Sequence, residues 1–331
     1  MYFAAENRYQ QLNYRKAGKS GLVLPPLSLG CWHNFGDDTP LSRQQEILHT
    51  AFDLGINHFD LANNYGTPFG SAERNIGHFL KRDFKAYRDE LIISTKAGWD
   101  MWPGPYGQGG SSRKYLTASL DQSLKRLGVD YVDIFYSHRY DPETPLEETA
   151  ETLADIVRQG KALYIGISSG YTPELTRQLA AQLAEYKVPL RLHQPLYNLF
   201  HREIEQGLFD SADQLGFGII VFSPLAQGLL GGRYLNGIPA DSRIGRGSRY
   251  LKQEQLDSGL LDKIKQLNEI AQNRRQSLAQ LALAWVLRDP HVSSAIIGAS
   301  TSQQVIENVK ALDNLSFSAQ ELQAIDVVFN Q

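Results

Sequence analysis

Four side chains in this sequence are of types that handle protons at a carbonyl oxygen. Asp60 and Tyr65 share the segment HFDLANNYG, Lys96 stands in LIISTKAG, and His138 in YVDIFYSHR. Asp60, Lys96 and His138 each end a short apolar run of strand-forming residues, and Tyr65 follows Asp60 by five positions. An ammonium directly after Ile-Ile-Ser-Thr is poorly placed for water. A buried ammonium is costly unless paired, and Asp60, one strand away, is the expected partner. A free phenol has a pKa of roughly 10, too high for easy proton donation at neutral pH. A neighbouring ammonium favours the phenolate, so Lys96 is expected to pull Tyr65 down. A neutral His138 can donate a hydrogen bond to a carbonyl oxygen. Together the four suit protonation of an oxygen while a hydride arrives at carbon. Side chains carry no hydride, so a nicotinamide or flavin is required.

A rival arrangement uses the same region. His58 and Asp60, two apart on a strand, point the same way. With His138 they have the composition of a two-histidine, one-carboxylate metal triad. That reading leaves Lys96 and Tyr65 without a task and sets an ammonium beside a cation, so no metal is expected. His33, His193 and His201 read as packing or rim residues. Gly18-Lys19-Ser20 has the ending of a phosphate loop, but Asn13 stands where the first glycine is needed. Trp32 and Trp99 are expected to wall a substrate pocket with Tyr65 and His138, since such pockets are mostly apolar with few polar anchors. Trp102 fits either a wall or a clamp on its loop. Arg113 and Arg139 are candidates for a substrate phosphate, with ordinary salt bridges as the alternative. Cys31, the single cysteine, makes no internal disulfide.

These residues need a scaffold that gathers strand ends. Eight apolar runs fit core strands: Leu27–Gly30, Ile56–Leu61, Leu91–Lys96, Tyr131–His138, Ala162–Ser168, Leu190–Gln194, Gly218–Ser223 and Ser294–Gly298. Helical patterns lie between them. Leu116, Leu120, Leu124 and Leu127 share one stripe, and Thr172-Pro173-Glu174 opens a helix. Ser42-x-x-Gln45 and Ser318-x-x-Glu321 have capping-box spacing. This alternation predicts α/β architecture as a closed (β/α)₈ TIM barrel, in one domain over residues 1–331. An open doubly wound sheet is the competitor, but no G-x-G-x-x-G follows the first strand. Residues 12–25 read as a hairpin plugging the barrel's bottom. The long connections 98–112 and 224–253 would lie on the C-terminal face, where barrel enzymes keep their sites.

Composition narrows the partners. Lys and Arg total 33 against 36 for Asp and Glu, a net charge of −3, in 331 residues that are 42% hydrophobic. That balance gives no global field for nucleic acid or acidic lipid. No apolar stretch has the length of a signal peptide core or a membrane span, so a cytoplasmic protein is expected.

At the level of motifs, HFDLANNYG, STKAG, DIFYSHR, GISS, HQPLYN, FSPLAQGLL, IPADSR and IGASTSQQVIEN resemble those of the aldo-keto reductases over nearly the whole chain. The closer similarity is to the branch containing voltage-gated potassium channel β subunits. The resemblance implies NADPH-dependent reduction of small aldehydes, such as glyceraldehyde 3-phosphate or methylglyoxal. It gives Tyr65 the role of general acid, Lys96 with Asp60 that of tuning it, and His138 that of polarising the carbonyl. Cofactor positions carry over as Trp32, Asp60, Ser168, Ser169, Gln194, Phe222, Ser223, Leu225, Gln227, Gly228, Arg233, Arg243, Ser300, Gln304, Glu307 and Asn308. Ser169 departs from an asparagine common in relatives, and Phe222 replaces a frequent tyrosine while keeping the π-face. The branch also implies a homo-oligomer, a tetramer or octamer. A redox-sensing NADPH-binding module with little turnover is the alternative.

Overall fold

A computed structural model describes residues 2–235, 237–239, 245 and 256–329. Eight parallel strands close into a barrel: β3 (Leu27–Gly30), β4 (His58–Asp60), β5 (Ile92–Ala97), β6 (Val132–Arg139), β7 (Ala162–Ser169), β8 (Leu192–His193), β9 (Gly218–Val221) and β10 (Val292–Ile297). Each pairs with its neighbours in chain order, and β10 pairs with β3 to close the ring. All eight expected runs became barrel strands, with ends displaced by a few residues. Their side chains are buried nearly throughout, as strands covered on both faces require.

The N-terminal hairpin joins β1 (Arg15–Lys16) to β2 (Val23–Leu24). Its Ala17, Leu22 and Leu24 pack with Ile92, Ile134, Tyr136, Leu192, Ile220 and Ile296. The expected plug is therefore present, and it seals the barrel interior with apolar surface. Gly18 makes the fit: its φ is +56°, and a Cβ there would lie 2.4 Å from the Gly216 carbonyl oxygen. Gly18→Val should therefore cost roughly 1–3 kcal/mol of stability by overpacking and backbone strain. A lowered thermal midpoint with unchanged kcat per folded molecule is the expected result, because the chemistry lies at the opposite mouth.

Outside the barrel stand α1 (Leu41–Asp53), α2 (Ser71–Arg82), α3 (Arg113–Leu127), α4 (Leu146–Arg158), α5 (Pro173–Glu185), α6 (Leu208–Leu215), α7 (Ser258–Asn273), α8 (Leu278–Leu287), α9 (Ser302–Val309) and α10 (Ala319–Phe329). Leu116, Leu120 and Leu127 of α3 are buried, while Leu124 is partly covered. Thr172 caps α5 as expected, and Ser318 and Glu321 exchange the capping-box bonds at α10. The box expected at Ser42-x-x-Gln45 does not form. Pro40 takes the cap position of α1, and the Gln44 amide ties back to the carbonyls of Gly36 and Thr39 instead. Among the described residues no helix is long and apolar enough to cross a membrane.

Candidate active site

The C-terminal ends of β4, β5 and β6 bring Asp60, Lys96 and His138 to one mouth of the barrel. Lys96 is 0% exposed. Its Nζ donates to Asp60 Oδ2 at 2.6 Å, to the Leu61 carbonyl at 2.6 Å and to the Tyr65 hydroxyl at 3.3 Å. An ammonium has three donors, and here each has an acceptor. Burial disfavours the charge, but Asp60 and then Tyr65 outweigh it and hold the ammonium's pKa above its ordinary value. For Tyr65 the balance differs from expectation. Burial pushes the phenol upward more than Lys96 pulls it down, so its net direction is up. The Lys96 influence is the expected one, opposed by a desolvation that sequence does not reveal.

His138 is nearly buried and is pushed well below its ordinary value, first by burial and then by Lys96 and Arg139. Its imidazole is neutral at physiological pH, with one N–H to donate. Its Nδ1 has no protein partner, and its ring lies edge-on to Tyr65, centroids 5.9 Å apart. The tetrad can thus offer a hydroxyl proton and an N–H to a single oxygen entering between them.

His58 belongs to a different circuit. Its Nδ1 meets Ser28 Oγ at 2.8 Å and its Nε2 meets Ser94 Oγ at 2.9 Å. Ser94 donates to Asp60 Oδ1 at 2.8 Å, so its oxygen accepts from His58 Nε2–H, and Ser28 donates to Nδ1. Ser294 completes the chain against Ser28 at 2.6 Å. Both ring nitrogens of His58 are therefore committed to serines, which undoes the metal-triad geometry. Among the described residues no three His, Cys, Asp or Glu side chains are grouped so as to hold a metal ion. Burial holds His58 at about 4 and His193 at about 3. Such histidines stay neutral in the fold but protonate when it opens. Stability should be complete above pH 6.5 and fall as pH drops towards 4, by about 3 kcal/mol for His58 alone. Denaturant melts across that window should show the slope, and His58→Gln should reduce it by the His58 share while leaving that of His193.

Ser94 was not among the expected site residues, although period-two alternation from Lys96 points it inward. Glu73, on α2, was missed as well. It is 0% exposed and bonds Thr95 Oγ1 at 2.5 Å and Arg126 Nε at 2.7 Å. Nothing in its neighbourhood of sequence marks it as buried.

The mouth is walled by aromatics. Trp32 stacks on Tyr65 at 5.6 Å and on His33 at 3.9 Å. Trp99, 43% exposed, stands edge-on to His138 at 6.2 Å. Trp102 instead packs on Tyr115 and under Gly107, clamping the 98–112 loop. Arg113 is spent on Glu151 and Asp155 and turns away from the substrate-phosphate role. Arg139 donates Nε to the Gly98 carbonyl and lies over Trp99.

Most of the described cofactor candidates lie at or after the C-terminal ends of β7, β8, β9 and β10. Gln194 donates to Asp60 Oδ1 at 3.0 Å, and Ser168 Oγ donates to the Gln194 carbonyl at 2.8 Å. Ser169 pairs with Arg139 across β6 and β7. Phe222 is half-buried on top of the interior apolar cluster. After it the backbone is strained: Ser223, Ala226 and Gln227 have φ of 53°, 46° and 57°. Non-glycine residues there are uncommon, and such strain is stored where a ligand needs the backbone. Leu225 precedes the 3₁₀ turn 226–231. Gln227 Oε1 is buried without a partner, and a Cβ on Gly228 would meet nothing. A buried amide oxygen without a partner, beside open space at Gly228, fits a ligand that brings hydrogen-bond donors, as the ribose hydroxyls of a dinucleotide do. Ser300 donates its N–H to Gln304 Oε1 at 2.8 Å at the start of α9, and Asn308 is buried one turn on. Glu307, on the same helix, accepts from Lys310 and Gln303 through one carboxylate oxygen. Arg233 is described and engaged in contacts, whereas Arg243 lies outside the described residues.

Comparison with known proteins decides the family. Residues 26–329 match the model of the aldo/keto reductase family. The chain belongs to that family. It is 60% identical over 330 residues to L-glyceraldehyde 3-phosphate reductase of Escherichia coli K12, covering 98% of this chain and 95% of the relative. It is 38% identical over 305 residues to a probable voltage-gated potassium channel subunit beta of Oryza sativa subsp. japonica, covering 91% and 92%. The expected barrel, hairpin and kinship thus hold. As an aldo/keto reductase the chain is an oxidoreductase, in a family that generally reduces aldehydes with NAD(P)H.

Proposed function

We propose that this aldo/keto reductase uses NADPH to reduce small aldehydes, L-glyceraldehyde 3-phosphate foremost and methylglyoxal among them. The observation that carries the proposal is the contact of Lys96 Nζ with both Asp60 and Tyr65 at the barrel mouth. When bound, the nicotinamide supplies the hydride. Trp32, Ser168, Ser169, Gln194 and Phe222 would hold its ring end. Ser223, Leu225, Gln227, Gly228, Arg233 and Arg243 would hold the phosphates, and Ser300, Gln304, Glu307 and Asn308 the adenosine. Arginines suit phosphate because their forks bind it in pairs of bonds. They are also the basis for choosing NADPH over NADH.

Tyr65 donates its hydroxyl proton to the carbonyl oxygen as that oxygen gains charge. The phenol's raised pKa keeps the donor protonated across the neutral range. Lys96 faces the phenol oxygen and stabilises the phenolate left behind. Asp60 keeps the ammonium charged and fixed, and is itself fixed by Ser94 and Gln194. Neutral His138 donates its N–H to the same carbonyl oxygen and sets its direction. Trp32 and Trp99 limit the space to a small chain.

A kcat/KM panel over phosphorylated and unphosphorylated three-carbon aldehydes, with each cofactor, tests the proposal. Highest efficiency with L-glyceraldehyde 3-phosphate and NADPH is expected. No cofactor oxidation with any aldehyde would overturn it and favour the redox-sensing alternative suggested by the channel-subunit relative. The same kinship carries a tetramer or octamer as its expectation, checked by native mass.

A further inference from the structure

Tyr65 and Lys96 meet from different elements, so their contact depends on how α2 is held against β5. The Tyr65 carbonyl accepts from the amides of Gly70 and Ala72, both at 3.2 Å. The proton-bearing loop is therefore tied to the first turn of α2. The third residue of that helix is Glu73, wholly buried. One carboxylate oxygen accepts from Thr95 Oγ1 at 2.5 Å and the other from Arg126 Nε of α3 at 2.7 Å. Thr95 immediately precedes Lys96. Strand alternation turns Thr95 to the outside of the barrel where Lys96 turns in, so Glu73 and the ammonium stand back to back across β5. Arg126 also packs on the loop itself, since a Cβ on Gly70 would lie 3.0 Å from its Cδ and Nε. A buried carboxylate persists only when paired and bonded. Here its partners sit on the strand that carries Lys96 and against the loop that carries Tyr65.

We propose that Glu73 is a positioning residue for proton transfer: through Thr95 and Arg126 it locks α2 to β5 and so sets the distance between phenol and ammonium. This rests on the reading of Tyr65 as proton donor. Glu73 touches none of the reacting atoms. Its influence passes through the geometry of two groups whose coupling falls off with distance.

The test uses the full chain with NADPH and an unphosphorylated aldehyde. Thr95→Val leaves the Glu73–Arg126 pair intact. It should lower kcat by about tenfold or more while KM and cofactor affinity, read by fluorescence quenching, stay within about twofold. The alkaline limb of the kcat profile should move to higher pH, because the ammonium acts on Tyr65 from farther away. Thr95→Ser restores the hydroxyl and should rescue both readouts. Glu73→Gln should match Thr95→Val, and the double variant should add little, since both break one link. If Glu73→Gln fails to fold, the two Thr95 variants decide alone. Wild-type kcat and an unmoved alkaline limb in Thr95→Val would overturn the proposal, even with a lowered thermal midpoint. Turnover retained in Tyr65→Phe would instead remove the donor reading beneath it. An inactive Tyr65→Phe beside an unaltered Thr95→Val removes only the role of Glu73.

Discussion

Tyr65→Phe is expected to lower kcat for aldehyde reduction by about three orders of magnitude, within the range that a positioned general acid contributes. The substitution deletes one oxygen and leaves the ring. Stacking on Trp32 and the edge contact with His138 therefore persist, and the site keeps its shape. Lys96 loses one of three acceptors but keeps Asp60 and the Leu61 carbonyl, so its charge stays compensated. Cofactor affinity should be within about twofold of wild type, because the phenol is used at the reacting oxygen and not in holding the dinucleotide. Steady-state oxidation of NADPH, with a separate equilibrium titration of the cofactor, separates these effects. Retained turnover would show that the proton comes from elsewhere, with His138 or water as the remaining sources at this mouth.

Asp60→Asn should do damage of a second kind. The amide is nearly isosteric, yet it leaves a fully buried ammonium without its counter-charge. Breaking a buried pair from one side typically costs about 3–5 kcal/mol. The amide keeps one acceptor oxygen, so its NH2 must face either the Lys96 ammonium or the donors Ser94 and Gln194, adding a clash of donors on one side. A fall of several degrees in the thermal midpoint and a kcat near background are expected. Lys96→Met, made together with Asp60→Asn, should recover much of the stability, since the uncompensated charge is gone. It should recover none of the activity. Scanning calorimetry beside kinetics checks the pair. Equal stability of wild type and Asp60→Asn would mean that the ammonium is solvated, contrary to its burial.

Much of this was legible in the residues themselves. The barrel could be read because parallel strands covered on both faces are written as short, continuous apolar runs. Ile92-Ile93 and Ile219-Ile220-Val221 are of that kind, and each formed a strand. Asp60, Lys96 and His138 could be read because a polar residue closing such a run has little structural reason to be there. Tyr65 needed more, since its place depends on a loop folding back onto α2. What escaped notice has a common cause: it depends on which side chains meet across the fold. Glu73 looks like any helical glutamate until Thr95 and Arg126 close on it. For Arg113 the sequence left phosphate binding and a salt bridge both open, and only the approach of Glu151 and Asp155 on α4 decides for the salt bridge. The Ser42 box matched in spacing but did not form, because the helix starts at Leu41 after Pro40 and Ser42 therefore lies inside the first turn and not at the cap. The net upward push on the Tyr65 phenol also follows from depth alone, which spacing does not encode.

The dependence of kcat on pH, compared between the wild-type enzyme and Lys96→Met with one aldehyde, tests the central claim most directly. The claim is that Tyr65 gives up its proton beside an ammonium that steadies the resulting phenolate. Reduction then needs the phenol protonated, so kcat should fall on the alkaline side as Tyr65 ionises. Without Lys96 the phenolate is less favoured, so that limb should shift to higher pH while the plateau drops. An alkaline limb at the same pH in both proteins would contradict the account.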